Sequence, residues 1–418
     1  MTSPGLAALA QEREAITFCP PRFDVVDEGR YRLTVPGAVV FELDYIRREA
    51  AQLKGELLVR SELPGAQTFD GLLSVSDLNL SSARTRQAHA KYLAERARTD
   101  GLDFAGLLEE FAQRVLAAER QGQPAVILSE IPRPAPDEAL EVDGLPLLAR
   151  HPMIVFGDGG TAKSMLALYL AGRLAQRGKN VGFFDWELAA EDHRDRLERL
   201  FPERMPVILY ARCSRPLVYE ADRLRRFVRD HQLDFAIFDS VAFACDGPPE
   251  AAEVAGRYFQ TLRQFGPLGS LHVAHVSKAL EGADQRPFGS AFWHNGARAT
   301  WNVKIAETSP DEATLSIALH HRKSNLSGKR ASIGFELSFE AERTHVRRID
   351  PGDVPDLAAG LTVRQRMAKA LRGGALTAGA LAEEIDADPE TVRRTVRRYR
   401  REFVVLDGGR LSLLETMR

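Results

Sequence analysis

The sequence predicts an α/β fold: a mostly parallel sheet core over residues 145–348, preceded by an α+β domain over 1–120 and followed by a small helical domain over 361–418. Two observations carry this expectation. From Leu145 onward, apolar runs such as MIVFG, NVGFFDWE, DFAIFDS and SLHVAHVS alternate with amphipathic stretches such as SMLALYLAGRLAQRG. Strands apolar along their whole length, each followed by a helical pattern, imply a mostly parallel sheet covered by helices on both faces. The second observation is punctuation. Four prolines within residues 121–140 and the stretch IDPGDVPDLAAG at 349–360 break any regular element and predict linkers over 121–144 and 349–360.

Composition narrows the class. The chain has 418 residues, 44% of them hydrophobic and 27% charged, which is enough for two or three globular domains. A net charge of −2 gives no whole-chain bias toward nucleic acid, so any basic surface has to be local. Cys19, Cys213 and Cys245 lie far apart without CxxC or histidine spacing, which argues against a zinc site or a disulfide framework. The N-terminus has early acidic residues and no apolar core of signal-peptide length, and no run approaches a membrane span, so a soluble cytoplasmic protein is expected.

In the N-terminal domain, the runs YRLTV, AVVFELDYI, GELLVRSEL and GLLSVSDL predict a small sheet. Two helices should follow, the first introduced by Ser81 and Ser82, the second starting near Asp103 with Phe104, Leu107, Leu108 and Phe111 at helical spacing.

The strongest chemical signal is the segment Gly157-Asp158-Gly159-Gly160-Thr161-Ala162-Lys163-Ser164, which follows an apolar strand and opens a strongly helical stretch. That order is the context a phosphate-binding loop needs: backbone N–H groups turn inward around the phosphates, and the helix N-terminus adds its dipole. Gly157, Gly159, Gly160, Thr161, Ala162, Lys163, Ser164 and Met165 are the expected nucleotide contacts, with Lys163 reaching the β and γ phosphates and the Ser164 hydroxyl ligating Mg²⁺. Ala162 stands where the pattern GxxxxGK[ST] has its last glycine; a methyl group is tolerable there if the backbone is in the right-handed helical region. Asp239, at the end of the apolar run LDFAIFDS, is expected to complete the Mg²⁺ site. Glu187, at the exit of NVGFFDWE, is the candidate base for the attacking water, with Asp185 as the alternative. A second reading makes Glu187 an acid that merely favours the N-terminus of the next helix.

With these elements in view, residues 145–330 resemble the RecA-like ATPases of the RepA and DnaB class, the hexameric replicative helicases, and particularly the RepA-like branch. The resemblance rests on GDGGTAKSMLALYLA, VGFFDWELAAEDHRDRL, FAIFDS, HVSK, GSAFWHNGARATWNV and HHRKSN. It implies ATP and Mg²⁺ as cofactors, Glu187 as the catalytic carboxylate, and His275 to Lys278 as the strand that senses the γ-phosphate. It further implies a homo-oligomeric ring, a hexamer in this class, with nucleotide at subunit interfaces. HHRKSN resembles the element that reaches a neighbour's nucleotide; Lys323 matches the family's lysine, but Asn325 stands where DnaB-type helicases carry arginine. Arg322 and Arg298 are the alternative finger residues.

The segment after Ser277 combines Arg286, Phe288, Phe292, Trp293, His294 and Arg298, the mixture of cation and aromatic that a single strand of DNA needs. The competing reading packs its aromatic residues under the loop as core. In the last 58 residues, Thr362 to Leu371, 377–385 and a third helix introduced by Asp388-Pro389 precede a hairpin on Gly408-Gly409. Three helices and a hairpin resemble a winged helix-turn-helix. Arg393, Arg394, Arg397 and Arg398 fall on the third helix, and 12 basic against 8 acidic residues in this tail make a local basic patch suited to DNA. Such domains also dock protein, so that alternative stands. Two functions remain: an ATP-driven DNA helicase or translocase, or a nucleotide-gated assembly protein on DNA or a partner that unwinds nothing.

Overall fold

The computed structural model describes residues 20–99, 101–122, 125–132, 140–276, 286–288, 291–306, 313–325, 328, 330–358 and 360–414. The chain divides into two compact units, Met1–Arg133 and Pro134–Arg418. Among the described residues no helix is long and apolar enough to cross a membrane.

The first unit is an antiparallel meander of β1 (Arg22–Asp27), β2 (Arg30–Val35), β3 (Val39–Glu49), β4 (Gln52–Ser61) and β5 (Leu72–Asn79), paired in sequence order. Strict alternation in β2 to β4 turns Leu33, Phe41 and Leu57 to one face, where α1 (Ala83–Ala97) and α2 (Phe104–Gln121) cover them with Leu93, Phe104, Leu108 and Phe111. Side-chain caps start both helices where the sequence signals them: Ser82 accepts from the Thr85 N–H and Asp103 from the Gly106 N–H.

The second unit is built on a nine-stranded sheet. Its elements run β6 (Pro152–Gly157), α3 (Lys163–Gln176), β7 (Val181–Asp185), α4 (Ala190–Leu200), β8 (Leu209–Arg212), α5 (Leu217–Asp230), β9 (Phe235–Asp239), α6 (Val241–Ala244), α7 (Ala252–Arg263), β10 (Gly269–His275), α8 (Ala291–Gly296), β11 (Ala299–Ile305), β12 (Thr314–Ser324), β13 (Ile333–Phe339) and β14 (Thr344–Ile349). The strand order is β14-β13-β12-β11-β6-β10-β9-β7-β8; β11 to β8 are mutually parallel and β12 to β14 antiparallel. Two cores flank it. Val155, Leu170, Phe183 and Trp301 pack on the α3 side, while Phe156, Phe184, Phe238 and Trp293 pack on the other. Strands buried on both faces are why these segments read as unbroken apolar runs. Cys213 and Cys245 are buried free thiols, both pushed up to about 12 by burial.

Within the stretch 349–360, read from sequence as a linker, residues 349–358 are packed structure. A 3₁₀ turn at Pro351–Asp353 leads into α9 (Pro355–Ala358), whose Leu357 is buried against Ala306 and Ala318. Asp350 pairs with Arg372 and Asp353 with Lys369, each at 3.0 Å. Beyond come α10 (Val363–Ala370), β15 (Leu376–Thr377), α11 (Ala378–Glu384), α12 (Pro389–Arg398), β16 (Phe403–Val405) and β17 (Arg410–Leu413). Thr362, Thr377 and Asp388 cap the three helices through their side chains, and the short strands form a sheet in the order β15-β17-β16.

Candidate nucleotide site

Parallel pairing sets the C-terminal ends of β6, β10, β9 and β7 side by side, the edge where open α/β sheets bind ligands. The register places His275 opposite Gly157 and Asp185 opposite Asp239. Gly157 ends β6 at a close approach: a Cβ there would lie 2.6 Å from the Val303 carbonyl oxygen of β11, so only glycine fits. The loop then turns through Gly159 and Gly160, and Thr161 anchors it, its hydroxyl donating to the Asp158 carbonyl at 2.9 Å.

Ala162 differs from the sequence expectation. Its backbone is left-handed, with φ 53° and ψ 25°, directly before α3. That conformation costs an L-residue roughly 1–2 kcal/mol, which is the physical reason glycine suits this position. Lys163 begins α3 almost fully buried, its Nζ donating to the Asp158 carbonyl at 2.6 Å and the Thr161 hydroxyl at 3.2 Å. Burial pushes its pKa down to about 8 against the opposing pull of Asp239, Asp158 and Glu187.

Asp239 is 2% exposed, and the Ser164 side chain lies near enough to its carboxylate to oppose the rise in its pKa. Its Oδ1 is buried with no hydrogen-bond partner. Burial first, then the neighbouring Glu187 and Asp185 charges, raise its pKa to about 6. A buried carboxylate with a spare oxygen beside a serine hydroxyl is a donor set that fits Mg²⁺, which takes few protein ligands and completes its shell with phosphate and water.

Glu187 lies exposed in the turn between β7 and α4, and its Oε1 accepts a hydrogen bond from the Ser240 hydroxyl. Asp185 has a different job. Fully buried, it accepts from the backbone N–H groups of Glu187 and Leu188 and from the Tyr210 hydroxyl, each at 3.0 Å, with Arg212 at 3.2 Å and His193 at 3.3 Å. Burial raises its pKa, but the nearby His193 imidazole and the hydrogen bond from the Glu187 amide outweigh burial and leave it lowered. Asp185 therefore staples the turn that carries Glu187. His275, half-buried, has its pKa lowered by burial and by Lys163. Lys278 lies outside the described residues.

Comparison with known proteins agrees with this geometry. A family model described as an AAA domain matches residues 123–280. That match spans the strand, glycine-rich loop and helix at 152–176 and the strands ending at Asp185, Asp239 and His275. Two solved structures are similar to the chain. One is described as an ATPase domain, at 11% identity over 48% of this chain and 86% of that one with a TM-score of 0.40. The other is the flagellar accessory protein FlaH from Methanocaldococcus jannaschii, at 14% identity over 52% of this chain and 97% of that one with a TM-score of 0.36. No curated protein matches the sequence.

Around the candidate nucleotide site, several side chains depart from their sequence expectations. Lys323 donates to the carbonyls of His294, Asn295 and Ala297 at 2.7, 2.9 and 2.7 Å, closing the C-terminal end of α8. In this conformation its ammonium serves its own subunit, because exposed helix-end carbonyls attract a cation. Arg322 donates to the Asn302 side-chain oxygen at 3.4 Å, and the Arg298 side chain is exposed. Arg286 is exposed as expected for a strand contact. Phe288 is not: 5% exposed, it packs in the core edge-on to Trp293, with ring centroids 5.5 Å apart, so it presents no face for a base. Among the described residues of the second unit, large aromatics that face solvent include Phe292, 56% exposed, and Phe243 in α6, 62% exposed. Phe243 is absent from the sequence reading, although its place four residues after Asp239 was a usable signal. In α12, Val392 and Val396 point inward while Arg393, Arg394, Arg397 and Arg398 are exposed on the opposite side.

Proposed function

We propose that this chain is an ATP-hydrolysing DNA motor, a helicase or translocase of the RepA/DnaB class acting as a homo-oligomeric, hexameric ring. The observation that carries the reading is that the loop bearing Lys163, the strand end at Asp239 and the turn bearing Glu187 lie along one sheet edge, with Glu187 tied to Ser240 beside Asp239. In the mechanism, the P-loop amides and Lys163 hold the β and γ phosphates, and Ser164 and Asp239 hold Mg²⁺, which when bound supplies neutralising charge to the transferred phosphoryl group. Glu187 orients the water and accepts its proton. Catalysis of this kind is mainly positioning and electrostatic stabilisation, so a site prearranged before nucleotide arrives is suited to it.

DNA contact is assigned to Arg286 and the exposed Phe243 and Phe292 for single strand, and to the Arg393, Arg394, Arg397 and Arg398 face of a winged helix-turn-helix for duplex. The second reading, a nucleotide-gated assembly protein without unwinding activity, is favoured by Lys323, whose commitment to α8 leaves the trans-acting cation unassigned. A strand-displacement assay with ATP and Mg²⁺ separates the two. Displacement that depends on hydrolysis supports the motor; single-strand binding and nucleotide-dependent assembly with no displacement or translocation support the second reading.

A further inference from the structure

We infer that Ser240 is a positioning residue that aims the Glu187 carboxylate at the attacking water. The inference rests on the assignment of Glu187 as catalytic base. Ser240 is fully buried and follows Asp239 directly, so a single strand end presents both the Mg²⁺ acid and a hydroxyl to the site. Its Oγ donates to Glu187 Oε1 across from β9 to the turn after β7. Ser240 is also the N-cap residue of α6, yet its side chain makes no capping hydrogen bond, although serine is among the best residues for that task. The hydroxyl is turned to Glu187 instead.

Glu187 needs such a partner. Its side chain is exposed and leaves from a turn, and Ser240 is the only hydrogen-bond donor to its carboxylate among the described residues. A glutamate held at one end only has three free side-chain torsions, and a general base must sit within hydrogen-bond reach of its water. The Asp185 staple fixes the backbone of the turn through the Glu187 and Leu188 amides. Ser240 fixes the other end of the side chain. It occupies Oε1 and leaves Oε2 to take the proton, so the proton passes from water to Oε2 while the Ser240 proton stays on its own oxygen.

The test is steady-state ATP turnover by the full chain with Ser240→Ala, Ser240→Thr, Glu187→Gln and the double variant Ser240→Ala/Glu187→Gln, together with the Kd of a non-hydrolysable ATP analogue and a thermal melt of each. Ser240→Ala should lower kcat by roughly 10-fold to 100-fold, the cost of a misplaced catalytic group, with KM and analogue Kd unchanged. Ser240→Thr keeps the hydroxyl and should restore most of the rate. In the Glu187→Gln background the alanine change should have no further effect, whereas a merely structural role would lower the residual rate again. A normal kcat for Ser240→Ala alongside an inactive Glu187→Gln overturns the inference and leaves the base assignment standing. An active Glu187→Gln sinks the base assignment itself. Loss of analogue binding or of the folded state in Ser240→Ala without rescue by threonine makes Ser240 structural and overturns the inference.

Discussion

Replacing Asp239 with asparagine should make the nucleotide-free protein more stable while abolishing its function. Asp239 is 2% exposed, one of its oxygens lacks a partner, and its pKa rises from the ordinary 3.8 to about 6, chiefly through burial. Between about pH 4 and pH 6 the folded protein therefore retains a proton that the unfolded chain has released, so stability falls as pH rises through that window and stays low above it. A displacement of this size is worth up to about 3 kcal/mol at pH 7, a ceiling because the neighbouring Lys163 charge changes with it. Asparagine keeps the shape and an oxygen for the Ser164 hydroxyl but carries no charge to desolvate. Urea denaturation at pH 7 in the presence of a chelator should give Asp239→Asn an unfolding free energy about 1–3 kcal/mol above wild type, and at pH 4 the difference should shrink toward zero. Added Mg²⁺ and ATP analogue should stabilise wild type more than the variant, which keeps the phosphate contacts but loses a metal ligand. A variant less stable than wild type at pH 7 without metal would refute the argument that this carboxylate is held at a cost for the ion it binds.

Other changes test other parts of the account. Ala162→Gly relieves the left-handed strain but gives the unfolded chain more freedom, worth about 0.4–1 kcal/mol in the opposite direction. The expected result is a melting temperature equal to or slightly above wild type and equal or tighter nucleotide binding by calorimetry; weaker binding would show that the methyl group belongs to a rearranged loop. Asp185→Asn should leave some hydrolysis but lower kcat and thermal stability together, because it loosens the staple under Glu187; an inactive Asp185→Asn beside an active Glu187→Gln would reassign the base. Ending the chain at Gly360 keeps Leu357 in its contact and should leave basal turnover intact while weakening duplex binding. Neutral replacement of Arg393, Arg394, Arg397 and Arg398 should reproduce that loss, with the slope of log K against log salt shallower by up to about 3.6 if all four contact phosphate. An unchanged slope would assign the domain to protein docking.

The central sheet and its phosphate-loop segment were legible in the sequence because their signals are local. An apolar strand, a glycine-rich turn and a helix start adjoin one another at 153–176, and strands buried on both faces write themselves as apolar runs. Helix starts at Ser82, Asp103, Thr362 and Asp388 were legible for the same reason, since a cap is made within three residues. Features decided by tertiary contact were not. Whether Phe288 or Phe292 faces solvent depends on how Trp293 of α8 packs against Phe288 and Phe259 of α7, which no spacing reveals. Lys323 looks like a free cation in sequence and becomes the cap of a helix that lies elsewhere along the chain. Residues 349–360 carry the composition of a linker, yet Leu357 finds a pocket between β11 and β12. The left-handed backbone at Ala162 was also hidden, because the residue that occupies it is not glycine.

The most direct measurement for the central claim is steady-state ATP turnover with Mg²⁺, with and without single-stranded DNA, for wild type, Lys163→Ala and Glu187→Gln, each shown to be folded by its thermal melt. Wild type should hydrolyse ATP and be stimulated by the single strand. Lys163→Ala should lose hydrolysis for want of the charge that neutralises the phosphates, and Glu187→Gln should retain ATP while turning it over very slowly. Wild-type turnover in a folded Lys163→Ala protein would contradict the claim that residues 157–164, Asp239 and Glu187 form the site of ATP hydrolysis.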